Sequence, residues 1–276
     1  MATLYVVATP LGNLRDLTER ATQVLRTVPV VAAEDTRRTK GLLSYLGAAP
    51  QLLSFHAHSP ERRVEAILDL LTAGRDVALV SDAGTPVVSD PGAELVARVR
   101  QAGFPVVPVP GPSAVTTALS ASGLPSDRYL FLGFVPRKGA ERKRLLGLAA
   151  RQEWPVVFFE APGRLAALLA DLAELCGAGR RVVVARELTK LHEEFRAGTL
   201  GDLAAHYAGL EPLGEITVVL EGAPVPDEPA VDAEAAAGMA AELLASGMSR
   251  RDAAGRVSAE FGLSRNDAYR LVNELP

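Results

Sequence analysis

Short apolar runs rich in valine recur along the chain: Leu4–Ala8, Val28–Ala32, Val77–Val80, Val106–Val109, Val156–Phe159, Val182–Ala185 and Ile216–Leu220. Between them lie longer stretches of helical period. Runs this short suit strands rather than buried helices, and their lack of polar alternation means that both faces are covered. The pattern therefore predicts an α/β protein with buried strands. The chain has 276 residues, 48% of them hydrophobic, enough for two cores and a small third unit.

Two breaks divide it. Pro108–Ser113 holds three prolines and a glycine in six residues, where neither helix nor regular sheet continues easily. A second break, Gly222–Pro229, carries spaced prolines that favour an extended, semi-rigid spacer before an alanine-rich tail. The expected organisation is one α/β domain over residues 1–111, a second over 112–223, a linker over 224–232 and a helical unit over 233–276. The single cysteine, Cys176, excludes a disulfide framework and sits in an apolar helical setting that suits a buried thiol. Met1–Ala8 lacks a basic leader and turns at Pro10, so it reads as a first strand, and no apolar run approaches the roughly 20 residues of a membrane span. A cytoplasmic location is expected. The net charge of −4 speaks against a basic footprint over the whole surface and leaves local clusters open.

Ser81–Gly92 follows a buried run and precedes a helical pattern, the order in which open parallel sheets build ligand sites. Gly84 and Gly92 allow close backbone approach, Pro86 and Pro91 stiffen the turn, and Asp82 and Asp90 offer carboxylates to hydroxyl or amino groups. Thr9–Asn13 is a glycine turn without the three-glycine dinucleotide spacing or a phosphate-loop lysine, so neither a nicotinamide nor a nucleoside triphosphate is expected. Ser113 is a plausible cap for the helix that follows Pro110–Pro112, with amide donors open to a ligand. Phe158–Arg164 and Ala185–Lys190 place charge abruptly at strand ends, as ion-paired structure or as a site.

Seven segments, in order, carry a resemblance: Thr9–Leu14, Ala33–Arg37, Ser81–Gly92, Pro110–Ala114, Gly133–Lys138, Ala185–Lys190 with Glu193, and Gly214–Ile216. Across residues 3–222 the chain resembles the tetrapyrrole-methylase-like S-adenosylmethionine-dependent methyltransferases, and among them the branch acting on ribose 2′-hydroxyls of small-subunit ribosomal RNA. It departs from that pattern at Gly163, where the branch has histidine, and at His56–Ser59.

The resemblance implies a homodimer whose two α/β domains clamp S-adenosylmethionine between them. Carried over by position, cofactor contacts fall on Leu11, Asp82, Thr85, Ser113, Ala114 and Phe159, with Gly84, Arg186 and Glu215 nearby. It also implies a cytidine of the 16S decoding region as target, hence the small ribosomal subunit as partner, with no membrane and no metal. A base for the hydroxyl proton would come from Glu34, Asp35, Glu187 or Lys190, a lysine serving only with a lowered pKa. His56 and His58 lack the spacing of metal ligands with a third partner.

Arg37, Arg38 and Lys40, Arg137 and Lys138, and Arg142, Lys143 and Arg144 are clusters able to steer a phosphate backbone, or else solvated faces. In the tail, Met248–Ala254 and Gly262–Arg270 read as capped helices joined by a glycine turn, a helix-turn-helix pattern showing Arg265, Asn266 and Arg270. Packing on a dimer partner would read identically. Methylation of a corrin or porphyrin precursor, and a non-catalytic ligand-sensing regulator that binds nucleic acid, are the competing functions.

Overall fold

The computed structural model describes residues 1–57, 59–224 and 232–275, so His58 and all but the ends of the expected linker lie outside the described residues. Met1–Ala223 packs as one compact unit and Pro224–Pro276 as another.

The first sheet has the order β3-β2-β4-β1-β5, formed by β1 (Leu4–Val7), β2 (Val30–Ala33), β3 (Gln51–Ser54), β4 (Val77–Val80) and β5 (Val106–Val109). All neighbours are parallel. Helices α1 (Glu19–Thr27) and α2 (Thr36–Leu46) bury Ala21, Leu25, Leu43 and Leu46 against one face. The other face is covered by α3 (Glu61–Thr72) and α4 (Ala93–Gln101) through Val64, Ile67, Leu71, Leu95 and Val99. The i, i+3, i+7 spacing of Val64, Ile67 and Leu71 makes that helix face continuous. Cutting Ile67 or Leu71 back to alanine would cost about 2–5 kcal/mol. Strand β2 begins two residues later than expected because Val28 caps α1 and Pro29 has no N–H to give to a ladder.

The connection after β1 leads toward β2, and the one after β4 leads past β1 to β5. These adjacent strands therefore send their loops toward opposite edges, which opens a crevice at their carboxyl ends. The two loops are tied there: Thr9 N donates to Gly84 O at 2.8 Å and Gly84 N to Thr9 O at 3.0 Å.

The second sheet has the order β6-β7-β10-β8-β9, from β6 (Leu130–Phe134), β7 (Val156–Glu160), β8 (Arg181–Arg186), β9 (Glu194–Thr199) and β10 (Ile216–Leu220). It is mixed: β6 and β7 are parallel, while β10 runs antiparallel to β7 and β8, and β8 to β9. Alternate residues face two cores. Val156, Phe158, Val182, Val184 and Val218 pack under α6 (Ala140–Arg151), α7 (Leu165–Cys176) and α8 (Leu200–Tyr207). Val157, Val183, Ala185 and Val219 pack under α5 (Ala114–Ser122). Cys176 ends α7 partly buried, where the sequence suggests a buried thiol.

The tail forms α9 (Ala233–Ala245), α10 (Arg250–Phe261) and α11 (Arg265–Glu274) around Ala236, Ala240, Val257, Ala268 and Val272. Ser249 and Ser264 accept from the amides of Asp252 and Asp267, and Gly262 closes α10 in the left-handed region. These are the caps and the glycine turn that the sequence announces. No helix among the described residues is long and apolar enough to cross a membrane.

Candidate active site

The carboxyl ends of β2 and β4 face the end of β7 and the start of β10 across a cavity of about 370 Å³, within the range of small-molecule sites. One wall comes from Ser81–Gly92. Here Asp82, Ala83, Gly84 and Thr85 line the cavity, followed by Val88, Ser89 and Asp90. Gly84 holds φ at +80°, and the Thr85 hydroxyl donates to Pro112 O at 3.1 Å, fixing this loop to the entry of α5. Asp82 is held in place from one side: its Oδ1 accepts from Asp35 N at 2.9 Å, and its Oδ2 lies 3.6 Å from Arg38 Nη1.

The second wall is Ser113 and Ala114 at the start of α5. Ser113 occupies the cap position but makes no capping hydrogen bond, contrary to expectation. Its hydroxyl and the first-turn amides of α5 are thus open to an anionic group. The third wall carries Phe134, Phe159, Ala161, Pro162, Glu215 and Thr217. Phe159 stacks edge-on between Phe131 and Phe134, with centroids at 4.9 and 5.6 Å. Glu160 also borders the cavity, but its side chain is fully enclosed and ion-paired to Arg164, so it supports the wall from behind. At Gly163 an added Cβ would lie 2.9 Å from Glu211 Oε1, so a side chain there would have to displace that carboxylate.

Three carboxylates converge on the floor. Burial first, then the charges of Asp90 and Asp82, raise the pKa of Glu34, with Arg38 opposing them. Burial, then Asp82, raises that of Asp90 against a hydrogen bond from Ser81. Asp90, a carboxylate the sequence offers to a ligand but to which the resemblance assigns no contact, lines the cavity.

Other expected site residues lie elsewhere. Leu11 packs against Gly84, 3.2 Å from where a Cβ would stand. Arg186 binds Glu194 Oε2 at 3.0 Å and Leu213 O at 3.2 Å, outside the cavity lining. Lys190 Nζ donates to Glu187 Oε1 at 2.8 Å and to Glu215 Oε2 at 3.1 Å. Burial pulls the Lys190 pKa down, but those hydrogen bonds outweigh it and hold the amine above its ordinary value, the wrong direction for a base. The Lys190 hydrogen bond in turn lowers Glu187. The stem of Lys190 covers Gly12, and Asn13 N donates to Thr189 Oγ1 at 3.2 Å, so this group is a latch between the loops after β1 and β8.

Among the basic residues, Arg38 lines the cavity, while Arg37 is bound to Asp35, whose pKa it lowers to about 2. Arg142 is committed to Asp171 at 2.5 Å and to Pro136 O at 3.0 Å. Arg137, Lys138 and Lys143 are exposed. Among the described residues, the non-glycine positions with positive φ are Val87, Ser89, Glu187 and Thr189, all in the loop from Ser81 to Gly92 or in the latch. Backbone strain of this kind gathers where a rigid surround fixes a ligand site.

A family model described as tetrapyrrole (corrin/porphyrin) methylases matches residues 3–204. The chain belongs to that family. A ribosomal RNA small subunit methyltransferase I from Synechocystis sp. is 43% identical, over 100% of this chain and 99% of its own length. The protein of that name from Thermotoga maritima is 48% identical over 80% of this chain and 99% of its own. Among solved structures, a uroporphyrin-III-C-methyltransferase from Thermus thermophilus is 25% identical with a TM-score of 0.59, covering 79% of this chain and 94% of that one. A structure of the Thermus enzyme complexed with S-adenyl homocysteine aligns over 80% and 97%, at 22% identity and the same TM-score of 0.59. Tetrapyrrole methylases thus share the two-sheet frame around the cavity.

Proposed function

We propose that this protein is an S-adenosylmethionine-dependent methyltransferase that modifies the ribose 2′-hydroxyl of a cytidine in the decoding region of 16S ribosomal RNA. The observation that carries this reading is the cavity between the two sheets in a chain whose full-length relative is a small-subunit ribosomal RNA methyltransferase. That relationship favours RNA over a corrin or porphyrin precursor, and over a non-catalytic sensor.

The residues present suit the methyl donor. Gly84 keeps a wall flat, Ser113 and the amides of α5 suit a carboxylate, and Asp82, Thr85, Ala114 and Glu215 surround the space for hydroxyl and amino groups. Phe159 offers an aromatic face to the adenine. When bound, S-adenosylmethionine supplies an electrophilic methyl group on a good leaving sulfur. The protein's part is orientation, worth several kcal/mol of the barrier, and removal of one proton. Of the base candidates, Glu34 is the one that lines the cavity, and burial beside Asp90 and Asp82 makes its carboxylate a better proton acceptor. Glu34 would take the proton that the ribose hydroxyl loses when the methyl group passes from sulfur to its oxygen. In this reading Arg38, Arg137, Lys138 and Lys143 contact RNA phosphates, Arg37 and Arg142 being held closely by carboxylates at 2.7 and 2.5 Å against 3.6 Å for Arg38. The protein is proposed to work as a cytoplasmic homodimer.

Incubation with methyl-labelled S-adenosylmethionine and small ribosomal subunits, free 16S RNA or uroporphyrinogen, followed by nuclease digestion and mass spectrometry, tests this. Label is expected on a ribose of a cytidine. Label on the tetrapyrrole alone, or none on RNA, overturns the reading.

A further inference from the structure

The helical tail is acidic as a whole, with seven carboxylates against five arginines in residues 232–275. Its charges are nevertheless sorted. Between α10 and α11 lies an open cleft of about 1110 Å³ bordered by Arg251, Arg256, Arg265 and Arg270, and by Asp252 alone among the carboxylates. The Asp252 carboxylate accepts the Ser249 hydroxyl at 2.7 Å, so its role is the helix cap. Arg251, Arg256 and Arg265 have no hydrogen bond or ion pair among the described residues, and all are exposed. Arg270 reaches Asp267 only at 3.5 Å. By contrast the fifth arginine, Arg250, donates to Val272 O at 3.0 Å and closes the end of α11.

An acidic unit gains nothing in stability from crowding like charges into one cleft, and unpaired arginines there repel one another. The floor between them is small: Gly255, Ser258 and Ala259 keep the α10 side low enough for a chain to lie across it. Tyr269, 48% exposed, borders the cleft. Guanidinium groups spaced along a low channel with an aromatic beside it fit a phosphodiester chain with unstacked bases.

We propose that this cleft is a second RNA-binding site, holding the phosphate backbone of single-stranded RNA independently of the cavity in the first unit. This rests on the reading of the protein as an RNA methyltransferase. Backbone contacts make the affinity largely independent of sequence and steeply dependent on salt.

The test uses the full chain and two fluorescent probes, a 16S fragment spanning the decoding region and an oligouridine, with anisotropy read over a salt series and no methyl donor present. The variant R251E/R265E changes positions in the first turns of α10 and α11, where a carboxylate is favoured by the helix dipole. Its affinity for both probes is expected to fall about tenfold or more at low salt. The slope of log affinity against log salt should shrink by about 1.4, two phosphate contacts on a single strand. S-adenosylhomocysteine affinity should stay unchanged. If that variant does not fold, R256Q, a good helix former on an exposed face, should cut the slope by about 0.7. An unchanged slope in a folded variant overturns the proposal. So does loss of self-association with RNA binding intact, which would make the cleft a protein contact. Salt-dependent binding that falls with the arginines, without any methyl transfer by the wild type, would sink the enzymatic reading and leave the cleft standing.

Discussion

Gly84 gives the sharpest handle on the cavity because a second glycine shares its backbone geometry without its surroundings. Gly84 has φ +80° and an imagined Cβ 3.2 Å from Leu11 Cδ2 and 3.7 Å from Pro112 O. Gly74, in an exposed turn, has φ +79° and nothing within 4 Å. Putting L-alanine in this region costs roughly 1–2 kcal/mol. Reduced freedom of the unfolded chain returns about 0.4–1 kcal/mol. Each alanine variant should therefore lose about 1 kcal/mol, a drop in Tm of about 2–4 °C for a unit of this size. The Leu11 methyl can yield the few tenths of an ångström that Gly84→Ala asks, so the extra steric cost is small. Only Gly84, however, lines the cavity. Calorimetric titration with S-adenosylhomocysteine should show about a tenfold loss of affinity, near 1.4 kcal/mol, for Gly84→Ala and none for Gly74→Ala. Equal affinity changes in the two variants, or wild-type affinity in a destabilised Gly84→Ala, would refute the assignment of this wall.

Glu34→Gln should lower kcat by about 10²–10⁴-fold and remove the acid limb of the pH–rate profile, with S-adenosylhomocysteine affinity retained; a preserved acid limb excludes Glu34 as base. The raised Glu34 pKa also carries a stability signature. The native state keeps a proton that the unfolded chain releases from about 4.5 upward, so native stability falls as pH rises through the window up to the raised pKa. The glutamine variant lacks that loss, and its Tm should exceed that of the wild type at neutral pH in thermal melts. Lys190→Met, which keeps the stem over Gly12, should cost about 1–2 kcal/mol from the broken pairs to Glu187 and Glu215 and leave kcat within about an order of magnitude. A loss beyond about 10³-fold in a folded Lys190→Met variant would make that amine a catalyst after all.

The frame is legible in the sequence wherever strands are buried on both faces, since a strand such as Val77–Val80 has no polar position to disguise it. The strands that escape notice are three of the four that end a sheet, one of them bent, while the fourth, Val106–Val109, is legible. Gln51–Ser54 and Glu194–Thr199 are edge strands, partly solvated and partly charged, and neither keeps a clean alternation. Leu130–Phe134 contains Gly133 at a register shift. The antiparallel insertion of Ile216–Leu220 between two strands leaves no mark on composition at all. At the site, small-residue loops after strands point toward the cavity because glycine and proline there have few other uses. Charges after strands are harder to sort. Arg186, Glu187 and Lys190 stand in the same kind of position as Asp82, and pairwise distances alone separate a latch from a cavity wall.

Val87, Ser89, Glu187 and Thr189 share a backbone conformation that favours glycine. A screen that selects for heat resistance alone should therefore enrich glycine at Val87 and Ser89, each substitution relieving about 1–3 kcal/mol of local strain less the roughly 0.4–1 kcal/mol that a freer unfolded chain takes back, whereas Glu187 and Thr189 are kept by their latch hydrogen bonds. The same substitutions would loosen the cavity. This loop is thus where durability and ligand affinity pull the sequence in opposite directions, and where a thermally hardened version of this protein would be expected to lose its grip on small molecules first.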